Sequence, residues 1–481
     1  MPAATQDRPT AQAARTPLVV RLLVLATFVV ILNETLMINA IPRLMESLQV
    51  TEQAAQWVST AFMLTMAAVI PISGWFLQRV TTRQGYAIAM GVFLAGTAIC
   101  AAAPIFPILL VGRIVQAAGT AVMMPLLMTT LMTVVPEQDR GRVMGNVTLA
   151  ISVAPALGPA VSGLILQLGS WRLLFVAVLP IAGAVTYFGL RQMTNIGEPQ
   201  VSSIDWYSAV AATLGFGSLV YGLSLFGERQ PDLGIVFVIA GAATITFFVL
   251  RQLKLQRTGA PLMDLRTLTN RTFTLALALL CIGMLAMLGS MILLPLYLQN
   301  LRGLTPLETG LLLMPGGLAM GLLGPTVGKL YDRLGSRPLV IPGAIGMVLS
   351  LAGFTQVSSS MPYWQVLGLH ALLMVSLAAT FTPLFTLGMG ALPPNLYPHG
   401  SSILGTLQQV AAALGTALVV TVMSARATHL VSDGVGAAAA QLSGMRLAFI
   451  VATVIAVATI VVAVMLPSRT NTAAGAEAHA H

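Results

Sequence analysis

Residues Gly74–Arg83 read GWFLQRVTTR, and residues Gly328–Arg337 read GKLYDRLGSR. Both fit G-x-(F/L)-x-x-R-x-x-x-R, and the second begins 254 residues after the first. Three other landmarks keep nearly that offset. Ile41-Pro42 is answered by Leu294-Pro295 at 253, Ala156-Leu157-Gly158 by Ala413-Leu414-Gly415 at 257, and Pro125 by Pro383 at 258. Each match alone is weak, but together they describe a chain whose two ends are copies in the same orientation.

What is copied follows from composition. The chain of 481 residues is 57% hydrophobic and 8% charged, with a mean hydropathy of +0.88. A soluble chain carries about 25% charged residues. Apolar runs of about 18–25 residues recur from end to end, each long enough to cross a hydrocarbon core ~30 Å thick. Short alternating strands are missing, so a β-barrel is excluded. The reading is an all-α integral membrane protein with about fourteen spans. The first is expected over 18–41, with no cleaved leader, because Glu34 would interrupt its apolar run. Spans 1–6 map onto spans 9–14. The organisation is therefore a disordered tail over 1–17, a six-helix bundle over 18–190, a linker with two extra central helices over 191–271, a second six-helix bundle over 272–466 and a disordered tail over 467–481. Parallel six-helix halves around an axis along the membrane normal are a transporter architecture, with the substrate site between the halves.

A net charge of +9 would suggest a nucleic-acid partner, but the basic residues lie in short loops between spans, where topology explains them. With a cytoplasmic N-terminus, the inner segments hold 17 Lys/Arg and the outer loops 6, leaving Arg113 inside the membrane. That bias places both termini in the cytoplasm. Cys100 and Cys281 sit in apolar runs with no disulfide or metal-ligand spacing. No G-x-x-x-x-G-K-[ST] loop exists to bind ATP.

The motifs now carry a resemblance. GWFLQRVTTR, LLVGRIVQAAGTAVMMP (Leu109–Pro125), APALGPAVSG (Ala154–Gly163) and LNETLMINAIP (Leu32–Pro42) together resemble the major facilitator superfamily, specifically its fourteen-span drug:proton antiporters. The resemblance implies that spans 1 and 4 line the cavity. It also implies that span 5, with Ala154, Pro155, Gly158, Pro159 and Gly163, seals it against proton leak. Gly74, Arg79 and Arg83, with Gly328, Asp332, Arg333 and Arg337, would form the gating loops. Two positions depart from the pattern. Gln78 stands where the first loop has an acid, and the span 1 acid is Asn33, with the carboxylate one place on at Glu34.

Glu34 lies about seven residues from the expected outer end of span 1, so ~10 Å deep at 1.5 Å per residue. Such a charge costs ~2.5–3.5 kcal/mol on insertion scales and marks an ion or substrate path. The plainer reading is a neutral acid that packs helices. Arg113 lies at a matching depth in span 4, which makes it a candidate partner for Glu34, and Gln116 and Thr120 extend it into one polar stripe. Its plainer reading is an arginine that only pins backbone carbonyls. His370 falls near the repeat position of Arg113 and could titrate, though a hydrogen-bonded core histidine is the commoner case. Asp332 could cap a helix N-terminus, or pair with an arginine across the interface between the halves and break on opening. The glycines Gly317, Gly321, Gly324 and Gly328 read as a packing face. Asn33, Gln116, Thr120, Met124, Tyr297, Gln408 and Gln409 are expected in the cavity wall, within a chain whose 25 Met residues would also suit a plastic pocket.

These readings point to a monomeric proton-coupled exporter of small amphipathic, often cationic, drugs in the plasma membrane. Its partners would be drug, protons and the bilayer, with no nucleic acid and no cofactor beyond the proton gradient. The alternatives are a symporter importing a nutrient on the same fold and an integral-membrane enzyme, for which no catalytic cluster is present.

Overall fold

The structure is a computed structural model, and it describes residues 16–37, 40–196, 205–227, 230–257 and 261–467. The two tails expected to be disordered lie outside these residues, apart from Thr16, Pro17 and Pro467. Among the described residues there are helices and no strands, and fourteen helices are long and apolar enough to cross a membrane.

The first half runs through α1 (Leu18–Leu36), α2 (Ile41–Leu48), α3 (Glu52–Arg79), α4 (Thr82–Ala102), α5 (Phe106–Val134), α6 (Arg140–Gln167) and α7 (Arg172–Gln192). The second half runs through α10 (Arg271–Leu296), α11 (Pro306–Leu334), α12 (Arg337–Phe354), α13 (Tyr363–Gly390), α14 (Tyr397–Ser432) and α15 (Ala437–Val464). Between them lie α8 (Trp206–Gly227) and α9 (Pro231–Leu255). Local chemistry sets several boundaries. Thr81 and Gln84 close a capping box at the start of α4, and Thr305 with Glu308 does the same for α11. The Asn270 side chain accepts from Phe273 N–H (3.1 Å) and starts α10.

The first expected span is not one helix. α1 ends at Leu36, and a short second helix, α2, restarts at Ile41. The repeat partner behaves otherwise, because α10 continues through Pro295 and loosens into a π turn over Tyr297–Leu301. Backbone interrupted at membrane depth needs partners for its free carbonyls. Ser162 of α6 supplies one, donating to the Leu36 carbonyl at 2.7 Å.

The halves meet along two seams, α3 with α14 and α6 with α11. Small residues allow the second seam to be close. The Gly324 and Gly328 backbone lies against the Gly145 and Gly141 backbone, and a Cβ added at Gly317 would stand 3.1 Å from Ala156. The extra pair packs on the outside of the first seam. Val220 and Leu223 of α8 share a small apolar cluster with Ala67 of α3 and Ala413 and Ala417 of α14. Trp57 of α3 meets Tyr221 of α8 at 5.6 Å between ring centroids.

Candidate functional site

The polar stripe of α5 is built as the sequence suggests, and it recruits neighbours. Arg113, 1% exposed, donates to Gln116 Oε1 at 2.6 Å and to the Val58 carbonyl of α3 at 3.3 Å. Its guanidinium lies 4.2 Å from the centre of the Phe62 ring. Gln116 passes the network on to Thr97 of α4 at 2.8 Å, and Thr120 donates back to the Gln116 carbonyl at 3.0 Å. Val58, Phe62 and Thr97 escape a reading along one helix because they reach the stripe from other helices. Met124, one turn beyond Thr120, is half-buried.

Glu34 lies in the last turn of α1, two residues before the break. The expectation that Arg113 pairs with it directly is not met, because no ion pair or hydrogen bond joins the two among the described residues. Arg113 spends its directional donors on Val58 and Gln116, and acts on Glu34 only as a charge through space. Asn33 is buried, with its amide Nδ2 unpartnered among the described residues. The sequence spacing put seven residues between Glu34 and the outer end of its helix. The break shortens that to two residues, and neighbouring Thr35 packs on Ala154 and Gly158 in the middle of α6.

The APALGPAVSG helix is what holds this end of α1. The Thr35 hydroxyl lies 3.5 Å from the Ala154 carbonyl, and a Cβ on Gly158 would collide with Thr35. The second half repeats the arrangement, with Gly415 of α14 so close to α10 that an added Cβ would stand 2.7 Å from the Leu285 carbonyl oxygen. Pro155 is half-buried in the same helix, the Pro159 side chain lies outside the described residues, and Gly163 has open space where its side chain would be. On its other side α6 carries the seam with α11. One helix therefore touches both the acid-bearing end of α1 and the interface between the halves.

The gating loops form two latches on the arginine-rich face. Asp332 accepts from the backbone N–H of Gly141 and of Arg142, both at 2.8 Å, and so caps the N-terminus of α6 from the other half. Gln78 meets His399 at the start of α14 at 2.9 Å. Ser402 donates to the Ile70 carbonyl at 2.7 Å, Ser401 pairs with Thr129 at 3.2 Å, and Arg140 donates to the Tyr397 hydroxyl at 3.4 Å. Deeper in, Thr148 pairs with Thr382 at 2.8 Å. These bonds between the halves all lie toward the arginine-rich face, so this face is shut.

The remaining expected residues take varied places. Arg79 stacks on Trp75 at 4.8 Å, Arg83 and Arg333 are exposed, and Arg337 donates to the Leu466 carbonyl at 2.5 Å. Arg337 thereby ties the end of α15 to the start of α12 and does not cross the seam. His370 is buried between α11 and α13, against Gly316. Its place mirrors Arg113 against Val58, so the repeat holds at side-chain level. Tyr297, expected in the cavity wall, is fully buried. Its hydroxyl donates to the Ser358 carbonyl at 2.6 Å and accepts from Arg302 at 2.8 Å, which leaves it none for a ligand. Gln408 and Gln409 are half-buried on α14, with no hydrogen bond among the described residues.

Comparison with known proteins agrees with this architecture. The MFS-type transporter YcnB of Bacillus subtilis is 39% identical over 440 residues, covering 91% of this chain and 92% of that one. The lincomycin resistance protein LmrB of Listeria monocytogenes is 38% identical over 439 residues, covering 90% and 93%. The crystal structure of the human organic anion transporter MFSD10 superposes with a TM-score of 0.66 over 93% of this chain and all of that one, at 15% identity, a likeness of fold alone. The family profile of the Major Facilitator Superfamily matches residues 23–416, and the chain, a multi-pass membrane protein of fourteen membrane-capable helices, belongs to that superfamily.

Proposed function

We propose that this transporter exports small amphipathic, often cationic, drugs across the plasma membrane in exchange for protons, working as a monomer with both termini in the cytoplasm. The observation that carries the reading is the position of Glu34. It is a carboxylate in the last turn of α1, and the two residues after it, Thr35 and Leu36, are held by the helix that forms the gated seam. A single buried carboxylate can hold either a proton or a cationic ligand, and that competition couples the two fluxes.

The cycle follows from that competition. Ionised Glu34 attracts drug while the carrier is open to the cytoplasm. The arginine-rich latches then close, giving the arrangement seen here. A proton entering from outside neutralises Glu34 and releases the drug, and the protonated carrier returns to lose its proton inside. Arg113 lies in a buried network beside this path and makes no hydrogen bond or ion pair with Glu34 among the described residues.

The names of the LmrB relatives make lincomycin the first compound to try. In everted vesicles a pH gradient should drive its accumulation, an uncoupler should abolish it, and ATP should have no effect. Glu34→Gln keeps shape and hydrogen bonding but cannot ionise. It should abolish both active export and proton release when drug is added to purified protein. Wild-type proton release from Glu34→Gln would sink this account and turn attention to His370.

A further inference from the structure

A groove of about 500 Å³ runs between α1 and α6 from the arginine-rich end of the two helices. Its walls are Arg21, Leu25 and Phe28 on α1, and Val143, Asn146 and Val153 on α6, each set spaced to fall on one helix face. The helices run side by side with Thr35 against Ala154, so Arg21 stands level with the start of α6. From Val143 to Val153 the groove is ~15 Å deep at 1.5 Å per residue, half of a hydrocarbon core ~30 Å thick. It is therefore one leaflet deep.

The groove opens sideways onto the bilayer. Gly141 and Gly145 face α11, and Asn146, one residue on, is turned about 100° around α6 from that seam. Leu18 and Leu25 beside the groove are 43% and 47% exposed, which in a membrane-spanning helix means exposed to acyl chains. The lining is apolar apart from Thr16, Arg21 and Asn146, and it holds no carboxylate. Arg21 is exposed at the mouth, and its guanidinium makes no hydrogen bond or ion pair among the described residues. The first acid on the α6 side, Asp139, is already paired with Arg142 at 3.3 Å. Asn146 lies ~9 Å further in than Arg21 at 1.5 Å per residue. Its amide also has no hydrogen-bond partner among the described residues.

We propose that this groove binds an anionic phospholipid of the leaflet at the arginine-rich face. The phosphate sits on Arg21, an ester carbonyl accepts from the Asn146 amide, and one acyl chain lies along Leu25, Phe28, Val143 and Val153. Charge selects this occupant. Basic pockets between membrane helices take anionic headgroups. An amphipathic cation would meet Arg21 and no counter-charge, and a zwitterionic headgroup would leave its ammonium unpaired. The site is independent of the export reading, because it lies on the bilayer side of α6 and uses neither Glu34 nor the drug.

Native mass spectrometry of the full-length protein in detergent reads the site directly, with phosphatidylglycerol and phosphatidylethanolamine of the same acyl chains as probes. Phosphatidylglycerol should bind about fivefold more tightly or better, the order expected for one arginine at a membrane surface. Arg21→Gln should bring the two lipids to within about twofold of each other, and Arg21→Lys should keep most of the preference. Ala150→Phe fills the groove and should weaken both lipids. Should it fail to fold, Leu25→Trp fills the groove from the exposed side and must do the same. Lys254→Gln removes the same charge from the exposed end of α9 and should leave the preference intact. Equal binding of the two lipids to the unmodified chain would overturn the proposal. So would a preference that survives Arg21→Gln, one that falls as far in Lys254→Gln, or groove-filling variants that bind both lipids normally. Displacement of phosphatidylglycerol by an equal concentration of tetraphenylphosphonium would mark the groove as a path for cations and overturn it as well.

Discussion

Asp332 and Gln78 occupy equivalent places 254 residues apart, each near the arginine-rich end of a helix that packs across the seam. Their partners are equivalent too, at the N-termini of α6 and α14. The chemistry is not. Asp332 puts a full charge on two backbone amides at a helix N-terminus, and charged hydrogen bonds are worth ~1.5–3 kcal/mol each. Gln78 makes one neutral contact with a histidine ring, of a kind worth ~0.5–1.5 kcal/mol. The backbones differ in the same sense. An added Cβ at Gly328 would overlap the Gly141 carbonyl, whereas at Gly74 it would stand 3.0 Å from the Pro398 carbonyl and 3.1 Å from Ser402 Cβ. One seam is tight and charged, and the other is looser, neutral and braced from outside by α8. A duplicated carrier need not open evenly. The α6–α11 seam carries the charged latch and the closest backbone approach, while the α3–α14 seam is the one that α8 packs against.

The sharpest attempt to break this comparison is steric. Gly328→Ala should cut export by at least about tenfold, the cost of overpacking a closed seam by ~1–3 kcal/mol. Gly74→Ala should cost less than about threefold, because a few tenths of an ångström relieve it. Vesicle uptake of the two variants side by side checks this, and equal losses would erase the asymmetry. Next come the latches themselves. Asp332→Asn should slow export about tenfold while leaving drug affinity in detergent nearly unchanged, because the amides lose a charged acceptor far from the drug. Gln78→Leu should slow it only about threefold. If Asp332→Asn transports at the wild-type rate, the charged latch is not what closes the carrier. The smallest expected effect lies at the other end of α6. Gly163→Ala meets nothing within 4 Å and should export at the wild-type rate, whereas Gly158→Ala would strike Thr35 and should be inactive. Equal behaviour of these two would mean that the motif does not act through α1.

Some of this was written in the sequence in a form that needs no third dimension. Span length and apolarity follow from the thickness of a bilayer, so the number and order of the spans were legible, though not their ends. The duplication was legible because a copied half keeps its landmarks at fixed offsets. Arg113, Gln116 and Thr120 could be read as one stripe because a helix brings i, i+3 and i+7 to one face. Asp332 could be read as a cap because a carboxylate beside a helix N-terminus is favourable wherever the helix comes from. His399 was within reach of the same logic, since it lies 257 residues after Arg142, the residue whose N–H meets Asp332.

The tertiary structure decided the rest, because contacts between distant helices leave no periodic trace in either one. Leu32–Pro42 reads as unbroken apolar helix. α1 ends at Leu36, where Ser162, 126 residues away, takes the free carbonyl. The depths of Glu34 and Arg113 matched, which suggested an ion pair, but depth along two helices says nothing of the angle at which their side chains leave them. Arg113 turned to Val58 and Gln116. Tyr297 looked like a wall residue until Ser358 and Arg302 claimed its hydroxyl. The two extra spans carried no motif at all. Only packing showed them bearing on α3 and α14.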